Sequence, residues 1–178
     1  MRALVVYESM FGNTRAVAHA VAKGLERWIP ADVMEVGAAP TDLGEEIALL
    51  IVGGPTHAFG MSRDSTRRDA AKQGNGSVVS SGEGIREWLS KVVHTRDELP
   101  AAAFDTKINK SWLPGSAAKA AYKRLNWQRF RLVTAPESFL VTDVTGPLVD
   151  GELDRAEAWG EQVGVVWARG SRAAGPRP

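Results

Sequence analysis

The sequence predicts an α/β protein built on a doubly wound, open, five-stranded parallel sheet with helices on both faces, a three-layer α/β/α arrangement. Two observations carry that prediction. Short apolar runs alternate with segments of helical spacing along most of the chain, and such alternation implies a parallel sheet covered on both faces. The second is the junction "YESMFGNTRAVAHAVAKGL" (residues 7–25), where a strand pattern passes through a small, hydroxyl-bearing, glycine-containing loop into a helical pattern.

The strand candidates are 3–7, 32–36, 47–53 and 101–105, with a last strand broken into 130–133 and 139–141. The first helix carries Val17, Val21, Leu25 and Trp28 on one stripe. In the second, Ile85, Trp88, Leu89, Val92 and Val93 follow the spacing of a helix packed on a sheet. A third, more weakly apolar, starts near Ser116 and carries Ala118, Ala121, Tyr122 and Leu125. The fourth follows Asp150 as N-cap, with Glu152 and Asp154 in its first turn and Leu153, Ala156, Trp159, Val163 and Trp167 inward. Trp28, Trp88 and Trp159 fall on stripes expected to be buried.

At 178 residues, 44% of them hydrophobic, the chain can bury one full-sized core, so residues 1–168 are expected to form one domain. Two stretches stand outside the alternation. Residues 62–82, "SRDSTRRDAAKQGNGSVVSSG", form a polar insertion too long for an ordinary connection, and 169–178 lack apolar periodicity and are expected to be a disordered tail. Lys and Arg total 22 against 21 Asp and Glu, so no overall field points to nucleic acid or an anionic membrane. With no cysteine, redox chemistry must come from a bound cofactor. No window approaches about 18 uninterrupted apolar residues and no secretory leader pattern opens the chain, so no membrane span and a cytoplasmic location are expected.

A loop that leaves a parallel strand and enters a helix sits at the carboxyl edge of the sheet, where open α/β folds bind ligands. Ser9, Asn13 and Thr14 offer side-chain donors, Gly12 lets backbone approach a ligand, and the following helix points its free N–H groups at the same spot. The site suits a phosphate. There is no G-x-x-x-x-G-K-S/T, and no G-x-G-x-x-G follows the strand. No Lys stands in the loop and Arg15 lies just beyond it, so a monophosphate held by neutral donors fits better than a triphosphate.

"YESMFGNTRAVA" resembles the FMN-phosphate loop of flavodoxins, with Ser9, Gly12, Asn13 and Thr14 matching the hydroxyl-x-x-Gly-Asn-Thr pattern. "IALLIVGGPTHAFG" (47–60) is similar to the family's third strand and flavin loop. Pro55, Thr56 and Gly60 match, while His57 stands where an aromatic stacking residue is usual. "VTGPLVDGELDRAEAWGEQV" resembles the ending common among flavodoxin-like proteins. The resemblance implies strand order 2-1-3-4-5 and FMN as cofactor. It implies a binding set of Ser9, Met10, Phe11, Gly12, Asn13, Thr14, Pro55, Thr56, His57, Phe59, Gly60, Asp105 and Trp112, with no catalytic acid or base and no metal ligand. Gly60 matches the position next to the peptide that reorients on flavin reduction, and Phe59 and Trp112 are candidates to flank the ring.

The implied function is electron transfer between a reductase and an acceptor protein. Two alternatives stand beside it: an FMN-dependent NAD(P)H/quinone-type oxidoreductase acting on a small aromatic molecule, and a flavodoxin-fold binding module without FMN. Flavodoxins tend to be strongly acidic, whereas this chain has a net charge of +1. That departure, with a basic insertion (Arg63, Arg67, Arg68, Lys72 against Asp64 and Asp69) placed to act as a lid, favours a dedicated acidic partner or an anionic substrate.

Overall fold

The computed structural model describes residues 1–74, 78–110 and 112–173. In chain order the elements are β1 (Arg2–Tyr7), α1 (Asn13–Leu25), β2 (Ala31–Glu35), β3 (Asp42–Leu43), β4 (Ile47–Pro55), α2 (Asp64–Gln73) and α3 (Ile85–Lys91). They continue with β5 (Val93–His94), β6 (Pro100–Ile108), α4 (Ala117–Trp127), β7 (Arg131–Leu132), β8 (Glu137–Val141) and α5 (Glu152–Ala173).

The main sheet runs β2-β1-β4-β6 with β7 and β8 both alongside β6, and every pairing is parallel. The lateral order is therefore the expected 2-1-3-4-5, but the sheet has six strands because its fifth position is divided. There β7 pairs with Pro100 and Ala101, and β8 with the stretch from Phe104 to Ile108. Pro136, which has no N–H to give to a ladder, stands at the interruption. A second, two-stranded sheet of β3 and β5 had no counterpart in the strand pattern.

Side chains alternate across the sheet and build one core on each face. Ala3, Val5 and Tyr7 of β1 face α1 and α5, joining Val17, Val21, Leu25, Phe104, Phe139, Trp159 and Val163. Leu4 and Val6 face α3 and α4, joining Val52, Ile85, Trp88, Leu89, Ala121 and Leu125. The α1–α5 contact is close: a Cβ on Gly160 would lie 2.2 Å from the Val21 carbonyl, so the two helices meet backbone to backbone. At the start of α5, Glu152 Oε2 accepts from Leu140 N–H (2.6 Å) beside the carboxyl end of β8; near its far end, Trp167 Nε1 donates to Ala48 O (3.0 Å) at the start of β4.

Five expectations change. Helix α3 ends at Lys91, so Val93 leaves its stripe and stands in β5, 58% exposed. Helix α1 stops at Leu25, so Trp28 lies past its end, 41% exposed, lying over Gly164 instead of filling the core. Leu153 points outward at 44% exposure. The first bond of α5 runs from Arg155 N–H to Gly151 O, which puts Gly151 at the cap in place of Asp150. Helix α5 continues to Ala173, so 169–173 are helical, while 174–178 of the expected tail lie outside the described residues.

Within the insertion, 64–73 form a full helix. Asp64 in its first turn, the Asp64–Arg68 pair (2.8 Å) and the Thr66 hydroxyl accepting from Arg63 N–H (2.9 Å) favour it locally. It carries no apolar stripe, which is why hydrophobic periodicity passed over it.

Candidate functional site

The loop after β1 is set by hydrogen bonds among its own members. Gly12 sits at φ +92° at the cap of α1, a conformation that a side chain would disfavour. Its N–H donates to Ser9 Oγ (3.1 Å). The first intrahelical bond is Ala16 N–H to Gly12 O (3.0 Å), so the N–H groups of Asn13, Thr14 and Arg15 stand at the helix start as an anion site. The Thr14 hydroxyl meets that of Thr106 at 2.8 Å, and Asn13 Nδ2 donates to Thr145 O (3.1 Å). Arg15 turns back toward the loop: its Nη2 lies 3.8 Å from where a Cβ on Gly12 would stand. A cation therefore accompanies the neutral donors.

This loop opens into a cleft of about 290 Å³ at the carboxyl edge of the sheet. Ser9, Met10, Phe11, Asn13 and Thr14 line one end, and Pro55, Thr56, His57 and Ala58 the next side. Thr106, Lys107, Ile108 and Leu113 come from β6 and the loop after it, and Val141 and Val144 from the end of β8. The remaining wall is α2, through Thr66, Asp69, Ala70 and Gln73. Those four positions follow i, i+3, i+4, i+7 spacing, one continuous helix face. Sequence reading missed this wall because its repeat is one of small and polar residues; the residues of β6 just past Asp105 were missed because the strand extends to Ile108.

Of the expected binding set, Ser9, Met10, Phe11, Asn13, Thr14, Pro55, Thr56 and His57 line the cleft, and Gly12 shapes the loop beside them. Phe59 and Trp112 project to solvent, 65% and 73% exposed, with Lys110 Nζ 5.9 Å from the Trp112 ring centre. Gly60 is tied on both sides of its residue: its N–H donates to His57 O (3.0 Å) and its carbonyl accepts from His57 N–H (2.8 Å). The tight turn this closes has Ala58 at φ +40° and Phe59 at φ +78°, a left-handed pair without glycine.

Asp105 lies beneath the cleft, fully buried, and acts as a knot. Its Oδ2 accepts from Ser116 Oγ (2.6 Å), Thr56 Oγ1 (2.9 Å) and Ala118 N–H (2.9 Å). Thr56 Oγ1 accepts in turn from Ala117 N–H (2.8 Å). One carboxyl group thus joins β6, the loop after β4 and the start of α4.

Residues 5–87 match the flavodoxin family model. No curated protein matches the sequence. Among solved structures, the fold is similar to oxidised flavodoxin 1 from Bacillus cereus (14% identity, TM-score 0.65, covering 92% of this chain and 97% of that one). It is also similar to the WrbA-like flavodoxin of Agrobacterium tumefaciens (18%, 0.58, 94% and 98%). The flavodiiron protein from Giardia intestinalis matches at 14% identity and TM-score 0.61 over 98% of this chain but 38% of its own length. The fold of the chain is flavodoxin-like. At these identities the structural likeness is one of fold, and the family match is confined to residues 5–87, under half of the chain, which hold both the loop after β1 and the loop after β4.

In this cleft His57 is held below the usual histidine range, first by burial, with Arg67 adding to the effect and a backbone bond at Thr66 opposing it. The imidazole is therefore neutral at pH 7. Protonation on its ordinary pKa of 6.5 would have placed a positive charge beside the cleft in mildly acid solution; burial moves that event to lower pH. NMR titration of the His57 ring is expected to give a midpoint below 6.5, and one at or above 6.5 would remove burial as the controlling influence. The sign for stability follows. In the window between the two values the unfolded chain binds a proton that the folded one does not, so His57 lowers stability as pH falls through that window.

A residue that sequence reading passed over stands directly before the loop. Glu8 is 1% exposed; its Oε2 accepts from Ile85 N–H (2.9 Å) and its Oε1 has no partner among the described residues. Arg67, buried on the under-face of α2, donates to Ser62 Oγ (2.9 Å) and Glu87 Oε2 (3.0 Å) beside it. Burial raises the Glu8 carboxyl above its ordinary 4.5, opposed by Ser62, the Ile85 N–H and Arg67. Above pH 4.5 the folded state keeps a proton the unfolded state has released, so this group lowers stability as pH rises. Glu8→Gln is expected to remove this group's share of the decline in urea-unfolding stability as pH rises above 4.5. An unchanged slope would assign the decline to other groups.

Ion pairing also revises the basic lid. Arg67 is buried in the cluster just described, Arg68 pairs with Asp64 (2.8 Å) and Lys72 with Asp69 (3.2 Å). The last two pairs lie within the insertion's own balance, while Glu87, outside it, offsets Arg67 and so lowers the excess positive charge available for long-range steering. Among the described residues no helix is long and apolar enough to cross a membrane.

Proposed function

We propose that the cleft binds FMN, phosphate at the start of α1 and ring toward the loops after β4 and β6, and that the protein passes electrons between a reductase and an acceptor. The observation that carries this reading is the anion site of α1 opening into the same cleft as the loop after β4, in the segment that matches the flavodoxin family, whose members bind FMN.

The donor set fits the phosphate. Three N–H groups at the helix start, the Ser9 and Thr14 hydroxyls and the nearby Arg15 guanidinium offer donors and positive charge to a monophosphate. Bound FMN supplies the redox chemistry that a chain without cysteine lacks. The chain's part is to hold and tune it: His57 and Ala58 border one side, Leu113 and Val144 the other, and α2 limits the access of water. The absorbance spectrum of the purified protein, with and without added FMN, tests the reading. A yellow protein with flavin bands supports it; a colourless protein that leaves added FMN unbound leaves a binding module.

One observation favours a second reading, an FMN-dependent oxidoreductase that reduces a small aromatic molecule such as a quinone. Helix α2 adds a wall with polar groups, Thr66, Asp69 and Gln73, at the cleft. Steady-state NAD(P)H oxidation with a quinone by the purified protein alone separates the two: turnover selects the enzyme, and a requirement for a separate reductase selects the carrier.

A further inference from the structure

The insertion does more than wall the cleft. It leaves the loop after β4, runs through α2, and returns beside the loop after β1. There Ser80 N–H donates to Ser9 O (2.8 Å), Val79 N–H donates to Met10 O (3.0 Å), and Ser80 Oγ accepts from Ser9 N–H (3.0 Å). Ser9 is 0% and Ser80 1% exposed, so water cannot replace these bonds.

We propose that Ser80 is a positioning residue of the phosphate site, holding the loop after β1 with the Ser9 and Met10 carbonyls turned to the insertion and the N–H groups of Met10 and Phe11 turned to the anion. This deepens the FMN reading and rests on it. In a planar trans peptide the C=O and N–H point in opposite directions. Tying Ser9 O to Ser80 and Met10 O to Val79 therefore aims the N–H groups of Met10 and Phe11 away from the returning limb. A backbone anion nest requires this orientation, because a carbonyl left facing the phosphate would repel it.

The third bond extends the control along the loop. Ser80 Oγ fixes Ser9 through its N–H, and Ser9 Oγ in turn accepts from Gly12 N–H (3.1 Å), one residue before α1. Removing the Ser80 hydroxyl leaves a buried N–H at Ser9 without an acceptor, and the loop must move to satisfy it. The side chain of Ser80 is not among those lining the cleft, so its effect on a ligand passes through Ser9.

The test compares wild type with Ser80→Ala in titrations of FMN, riboflavin and inorganic phosphate, with thermal melting as the stability readout. FMN affinity is expected to fall about tenfold and phosphate affinity with it, while riboflavin, which lacks the phosphate, changes less than twofold. A purely structural role would lower FMN and riboflavin together, and that result, or unchanged FMN affinity, overturns the proposal. If wild type binds inorganic phosphate but neither flavin, the FMN reading falls and phosphate affinity alone decides on Ser80. If wild type binds none of the three, both fall. Should Ser80→Ala melt too low for titration, Ser80→Cys keeps the size of the side chain with a much weaker acceptor and gives the same comparison.

Discussion

Replacing Thr14 with Val and Ser9 with Ala in one protein is expected to weaken FMN binding by about a hundredfold or more, while riboflavin binds almost as before. Each hydrogen bond to a charged phosphate is worth about 1.5–3 kcal/mol, and two such losses multiply. The structure adds a secondary cost. Ser9 Oγ accepts from Gly12 N–H and the Thr14 hydroxyl meets that of Thr106, so the double variant also leaves two of the protein's own groups without partners. That cost falls on stability, seen in melting, and riboflavin serves as the control for general damage to the cleft. Equal losses for FMN and riboflavin in isothermal titration would refute the placement of phosphate at α1.

The second large effect is expected at Asp105. Asp105→Ala removes an acceptor shared by three donors at the junction of β6, the loop after β4 and α4, and each orphaned group is buried or partly so. The expected loss is about 3 kcal/mol or more in urea unfolding, with flavin and phosphate affinities falling together because the loop after β4 loosens. Asp105→Asn, which keeps one carbonyl oxygen, should lose less. A loss under about 1 kcal/mol for the alanine variant would show that the knot is dispensable.

These predictions differ in how far the sequence prepared them. Ser9, Gly12 and Thr14 were legible because a hydroxyl- and glycine-bearing loop between a strand and a helix has few other physical uses. The central strands β1, β4 and β6 were legible because they are apolar runs whose two faces are both buried, while their lateral order came from the family resemblance. Asp105 was in the binding set that the resemblance implied, but its partners Ser116 and Ala118 lie eleven or more residues along the chain, and spacing cannot reveal such a junction. Helix α2 was hidden for a different reason. Its helicity rests on local charge pairs and on the single buried cation Arg67, so the apolar repeat that marks α3 is missing. Ser80 was the least legible of all, since only folding brings it to Ser9, 71 positions away.

The course of α5 has a practical use. The helix starts where Glu152 meets Leu140 at the cleft edge of the sheet and passes Trp167 at the opposite edge; its 22 residues span about 33 Å at 1.5 Å of rise each. An affinity handle, fluorophore or electrode tether joined beyond Ala173 is therefore carried to the end of the molecule remote from the ligand entrance. Immobilised this way, the protein would present its cleft outward to solution, so ligand binding measured on a surface could be compared directly with binding in free solution.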